Sequence, residues 1–243
     1  MRRTLVLGII VLSGVITTAL LAAQQGAAPG QGREGRAGGG GGGRGPGFPP
    51  VQAIEKVKDN LYLIQGQGGN TAVYVAQTGV VVVDTKLANN GQAILDQIKT
   101  VTDKPITHII NTHTHGDHTG NDDKFGTSVE IIAQENTKTN MAKMDAFKGD
   151  KAVFLPKRTF KDTLTLGSGN EQINLYYFGA GHTNGDAMVY FPSLRVLQTG
   201  DLFARKDAPR IDPANGGSGV AYPQTLSKAV ATLRGVLPDE PGR

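Results

Sequence analysis

The 243-residue chain contains no cysteine. Disulfides, thiolate metal ligands, a cysteine nucleophile and a lipid carried on an N-terminal cysteine are all excluded, so any metal site has to use histidine and carboxylate. Histidine is itself scarce, at five residues. The folded part also lacks net charge. The formal excess of +4 sits before residue 51, where Arg2, Arg3, Arg33, Arg36 and Arg44 face only Glu34. The basic isoelectric point therefore reports the N-terminal tail, and it gives no footprint for nucleic acid.

Met1 to Ala23 reads as an export signal, with Arg2-Arg3 ahead of an almost wholly apolar run and Ala22-Ala23-Gln24 as a cleavage point. The same run could stay in a bilayer as an anchor. An exported protein is expected, periplasmic or extracellular, meeting a membrane only through that anchor. Residues 24–50 are low in complexity and include six glycines in a row, Gly38 to Gly43. Such a stretch cannot offset its ordering entropy and is expected to be a disordered tether. No Lys-Ser/Thr follows the glycines, so they are not a phosphate loop.

One domain is expected over 51–243. Gln52 to Val57, Leu61 to Gln65, Thr71 to Ala76 and Val80 to Val83 read as strands separated by turn signals. The unbroken Val80-Val81-Val82-Val83 should be buried on both faces. Ala88 to Val101 and Glu135 to Phe147 read as helices, with strands at Thr107 to Asn111 and Val129 to Ala133. Further strands are expected at Leu164 to Leu166, Gln172 to Phe178, Ala187 to Phe191 and Arg195 to Gln198, and a helix at Pro223 to Arg234. Strands dominate early and then alternate with helices, which suggests an α+β arrangement with helices packed outside sheets.

Three of the five histidines lie in His113-Thr114-His115-Gly116-Asp117-His118, directly after the apolar Ile109-Ile110. His113 and His115, two apart at a strand end, leave the sheet edge on one side and can reach one ion. Gly116 would let the backbone turn sharply, aiming Asp117 and His118 at a neighbouring ion. Imidazole and carboxylate without thiolate suit zinc, and less selectively iron or manganese. His182 follows a strand in Gly181-His182-Thr183 and is the available third imidazole. Asp201 ends another strand in Thr199-Gly200-Asp201 and could bridge two ions. His108 lies inside a strand and reads as structural. Thr183, Asn184 and Asn121 are weaker candidates for lining a pocket.

These motifs, with Val82-Val83-Asp84-Thr85, resemble those of the metallo-β-lactamase superfamily, in order over Val51 to Arg234. The resemblance implies an αβ/βα four-layer sandwich with the metal site at one edge of its two sheets. It implies that His113, His115 and His182 hold a first zinc, that Asp117 and His118 hold a second, that Asp201 bridges, and that Asp84 orients the ligand loop from behind. Asp201 stands where antibiotic-hydrolysing branches usually carry cysteine or serine, and so resembles the glyoxalase II and lactonase branches. No histidine follows His182, whereas the family usually supplies one from a late Gly-His loop. A C-terminal truncation is therefore expected, with a weakened second site. The expected function is zinc-dependent hydrolysis of an ester, thioester, lactone or amide in a small molecule, with Asp117 handling the proton of water. The alternatives are a mononuclear iron enzyme like the sulfur dioxygenases, held through His113, His182 and Asp201, and a non-catalytic metal binder.

Overall fold

The structure, a computed structural model, describes residues 48–204 and 207–236. The expected export segment, most of the tether and the chain's last seven residues lie outside that range. The described part opens with four short antiparallel strands, β1 (Glu55–Lys58), β2 (Leu61–Ile64), β3 (Thr71–Val75) and β4 (Val80–Val83). After α1 (Gly91–Lys99), the strand β5 (Ile106–Asn111) pairs parallel to β4. The turn of helix α2 (Gly116–Thr119) follows it, then β6 (Glu130–Gln134), α3 (Glu135–Met141) and β7 (Arg158–Phe160). These strands make one seven-stranded sheet in the order β1 to β7, antiparallel in its first half and parallel from β4 onward. A second, antiparallel sheet holds β8 (Thr163–Leu166), β9 (Ile173–Tyr177), β10 (Ala187–Phe191) and β11 (Val196–Gln198). The helix α4 (Tyr222–Val236) closes the described part.

Three apolar clusters set these elements in layers. Between the sheets, Tyr74, Val81, Val83, Ile110 and Ile132 pack on Leu166, Ile173, Leu175, Val189 and Phe191. On the outer face of the first sheet, Ile94 and Ile98 of α1 cover Val73, Val80, Val82, Ile109 and Ile131. On the outer face of the second, Ala229 and Leu233 of α4 cover Met188 and Tyr190. This is the expected helix–sheet–sheet–helix sandwich. The run Val80–Val83 is buried throughout, because Val80 and Val82 face α1 while Val81 and Val83 face the other sheet.

The elements differ from expectation in three instructive places. The helix expected over Ala88 to Val101 starts only at Gly91, because Asn121 Oδ1 accepts the backbone N–H of Asn90 and Gly91 from outside the helix and fixes its first turn there. The helix expected over Glu135 to Phe147 stops at Met141. Its apolar residues Met141, Met144 and Phe147 recur every three positions, and the N–H of Met144 and of Phe147 bonds the carbonyl three residues back, a tighter winding than α. Strand β7 was not expected at all. Three residues after Pro156 carry too little pattern to register, and only pairing with β6 defines them. Among the described residues, no helix is long and apolar enough to cross a membrane.

Candidate metal centre

The chemistry-bearing residues gather at the C-terminal ends of strands from both sheets. Strand β4 ends at Asp84, β5 runs into His113, β9 leads to His182 and β11 to Asp201. Parallel strands place loops and side chains at that edge, where α/β folds build their sites. Four of the five histidines converge there. His108 does not: it lies along β5 with Nε2 3.4 Å from the Glu130 carboxylate on the adjacent strand, which fits its structural reading.

Each converging imidazole is tethered through one nitrogen to a hydrogen-bond acceptor. His182 Nδ1 donates to the carbonyl of Arg210 at 2.8 Å. His115 Nε2 donates to Asp212 Oδ2 at 2.7 Å. Asp212 is ionised there, since hydrogen bonds from Asn215 and then from His115 draw its pKa down to about 2. His118 Nδ1 donates to Asp84 Oδ2 at 2.7 Å. His113 Nδ1 lies 3.1 Å from Thr112 Oγ1, whose own proton goes to Asp84, so the hydroxyl accepts from the ring. The tethers fix the tautomers. The untethered nitrogens therefore carry lone pairs, and they point at one another. His115 Nδ1 is 2.9 Å from His182 Nε2 and 3.2 Å from His113 Nε2.

Lone pairs this close repel unless a cation or proton lies between them. Three nitrogens arranged tetrahedrally around zinc at its usual bond length would be about 3.4 Å apart. The spacing found is slightly tighter than that and has the right form. His113, His115 and His182 make one group that could hold an ion, and His113, His118 and Asp201 make a second. His118 Nε2 is buried with no hydrogen-bond partner. Burial lowers its pKa, but the carboxylates of Asp84, Asp201 and Asp117 outweigh that and raise it to about 10. The pocket thus asks for positive charge at His118. His113 is pushed the other way, first by burial and then by its three imidazole neighbours, so it stays neutral. Donor set and charge both fit a divalent metal.

The carboxylates arrange themselves differently from one another. Asp201 places Oδ1 3.4 Å from His118 Nε2 and Oδ2 3.8 Å from His182 Nε2, one oxygen toward each group. Asp117 Oδ2 stands 3.8 Å from His118 Nε2 and belongs to neither set of converging donors. Its side chain is half-buried, with 27% exposed. Asp84 is fully buried behind the cluster, where it accepts the Thr112 N–H, the Thr112 hydroxyl and His118 Nδ1. It thereby ties the end of β4 to the ligand loop.

Several expectations need correction. Gly116 has no left-handed backbone, and a side chain there would meet open space, so its role is to begin α2, which carries Asp117 and His118. A glycine is needed instead at Gly69, where a Cβ would come 2.3 Å from the His118 ring. Thr183, Asn184 and Asn121 do not line the cavity beside the cluster. Thr183 donates to Asp186, Asn184 accepts from Asn136 and Asn140, and Asn121 holds the Thr85 to Leu87 backbone. That cavity, of about 350 Å³, opens beside His118 and Asp201 between walls that include Leu61, Leu63, Phe191 and Leu197. Asp212 was missed, because an isolated Asp in a turn-like Asp-Pro-Ala-Asn-Gly stretch signals only a loop.

Beneath the cluster, Asp122 is buried and accepts from Thr85 and Asn111, while its Oδ2 has no partner. Burial, reinforced by Asp84 and Asp123, raises its pKa to about 8 from an ordinary 3.8. A folded-state value above the unfolded one means the fold favours the protonated acid. Its contribution is fully present below about pH 4 and is lost as pH rises to about 8. Asp122→Asn should remove that slope, so the melting temperature of the variant gains on the wild type between pH 4 and 8. Parallel melting curves across that window would refute the assignment.

A family model described as the metallo-beta-lactamase superfamily matches residues 64–243. The chain is 26% identical over 200 residues to a type 2 metallo-beta-lactamase of Elizabethkingia meningoseptica, covering 78% of this chain and 76% of that protein. It is 26% identical to metallo-beta-lactamase IND-1 of Chryseobacterium indologenes, over 72% of this chain and 74% of that one. In structure it resembles the metallo-beta-lactamase DIM-1, with a TM-score of 0.64 at 21% identity, covering 77% of this chain and 86% of the other.

Proposed function

The chain belongs to the metallo-beta-lactamase superfamily, and from that premise we propose that this metal-dependent hydrolase is a zinc enzyme cleaving an ester, thioester, lactone or amide in a small molecule. The observation that carries the metal reading is the lone-pair conflict: His115 Nδ1 and His182 Nε2 face each other at 2.9 Å with their other nitrogens committed to acceptors. His113, His115 and His182 would hold one ion. His118 would join a second with His113 or Asp201, and Asp201 has an oxygen toward each group. When bound, zinc supplies Lewis acidity and a water that ionises near neutral pH.

The chain's own residues supply the rest. Asp117, half-buried beside His118 and open to water, can accept a proton from water and hold that water in line. The strands and the Asp84 tether keep the imidazoles in place, so little reorganisation accompanies reaction. Export, by Met1 to Ala23, accords with the bacterial origin of the curated relatives. Asp201 favours lactone, ester and thioester substrates of the glyoxalase II or lactonase kind. The names of the relatives favour a β-lactam amide instead. A panel of lactones, thioesters, esters and cephalosporins, run with the zinc-loaded protein, separates the two. Turnover of lactone or thioester well above cephalosporin, lost on chelation and restored by zinc, is the expected result. Zinc-loaded protein inert toward the whole panel would overturn the hydrolytic reading.

A further inference from the structure

The loop before α4 also reaches the cluster. Its contacts fall on two imidazoles at once. Asp212 Oδ2 receives His115 Nε2 at 2.7 Å, and the carbonyl of Arg210 receives His182 Nδ1 at 2.8 Å. The backbone repeats the link, because the Asp212 N–H donates to the His182 carbonyl at 2.8 Å. From these contacts we infer that the segment from Arg210 to Gly217 is a clamp on two imidazoles, and that Asp212 is the positioning residue that presents His115 Nδ1 to the ion. The inference rests on the metal reading of His113, His115 and His182.

The Asp212 carboxylate is locked on both oxygens. Oδ1 accepts the N–H of Ala214 at 2.9 Å and of Asn215 at 3.3 Å, and Oδ2 accepts the Asn215 side-chain amide at 2.6 Å as well as His115. It cannot rotate away from His115 without breaking these bonds. Its carbonyl accepts the Gly217 N–H at 2.8 Å. A Cβ at Gly217 would come 2.2 Å from the His182 carbonyl oxygen and 2.8 Å from that of Asp212, so only glycine lets the loop seat this closely. The loop is also held from outside, as Asn215 O accepts from Asn184 N at 3.0 Å and from Asn140 Nδ2 at 3.3 Å. Carboxylates bonded to the far nitrogen of a ligating histidine set its tautomer and raise its basicity.

Asparagine is the sharp substitution. An amide at Asp212 has one acceptor oxygen where the carboxylate has two. Facing the oxygen to His115 would turn the NH₂ toward the N–H of Ala214. Facing the NH₂ to His115 would move the ring proton onto Nδ1, the atom that has to bind the ion. Either outcome weakens the first group while leaving side-chain volume unchanged.

The test is zinc affinity by chelator competition, with the visible spectrum of the cobalt form, on full-length wild type, Asp212→Asn and the milder Asn215→Ala. Asp212→Asn should weaken the tightest zinc roughly 10–100-fold and alter the spectrum of the first cobalt equivalent, while the metal-free melting temperature stays within a few degrees. Asn215→Ala should move affinity in the same direction by less, and it serves if Asp212→Asn does not fold. Unchanged affinity and spectrum in a folded variant would refute the clamp alone. A wild type that takes up neither zinc nor cobalt would refute the clamp and the metal reading together.

Discussion

His113→Ala is expected to abolish hydrolysis, with turnover falling more than about 100-fold, beyond what loss of a supporting residue produces. His113 is common to both groups of converging donors, and its one free nitrogen, Nε2, completes the three-imidazole set with His115 and His182, so its removal should empty that set. The same variant makes a second, less intuitive prediction. In the metal-free protein the His113 nitrogen is one of the lone pairs crowding His115, and burial together with three imidazole neighbours keeps it from taking a proton. Removing it relieves that conflict. The metal-free variant should therefore melt within a few degrees of metal-free wild type, whereas added zinc should stabilise only the wild type. A variant that loses activity yet is stabilised by zinc as much as wild type would show that His113 is no ligand. Titration calorimetry and melting curves on both proteins decide it.

The other large effect is expected at Asp84. This side chain is fully buried and carries three hydrogen bonds, two of them to Thr112 and one to His118. Asp84→Ala leaves a buried imidazole without its acceptor, a loss that costs about 3–5 kcal/mol when a buried charged pair is broken. Part of any such loss comes from the backbone, because Asp84 has a φ of +64°, where an alanine adds roughly 1–2 kcal/mol. Asparagine accepts that backbone more readily, so Asp84→Asn isolates the hydrogen-bonding share. It keeps one acceptor where two oxygens served. We expect about 10–100-fold weaker metal binding, felt most at the group containing His118 and Asp201. Denaturant midpoints give the stability change and chelator competition the affinity. If Asp84→Asn binds metal as wild type does, the carboxylate is a strand-end turn residue and nothing more.

The sequence disclosed the site more fully than it disclosed the frame. His113, His115 and His118 were legible because scarce residues fell within six positions after a buried strand. His182 and Asp201 were legible as candidates because each follows a strand within a few residues. Asp84 could be read from its motif, but only the structure shows that it reaches both Thr112 and His118. Asp212 was not legible. It stands 97 residues from His115, and no local pattern announces a hydrogen bond between distant loops. The same limit governs the elements. Val80–Val83 was readable from its own unbroken β-branched run. Strand β7 and the late start of α1 depend on partners far along the chain, pairing with β6 in one case and capping by Asn121 in the other.

Metal content bears most directly on the central claim. Elemental analysis of the purified protein, before and after dialysis against chelator, should find at least one divalent ion per chain. Its removal should lower the melting temperature, and zinc should restore it. Protein that is metal-free as purified, takes up no zinc and melts at the same temperature with or without it would mean that shared protons, not an ion, hold the facing imidazoles together, and that this account of the site is wrong.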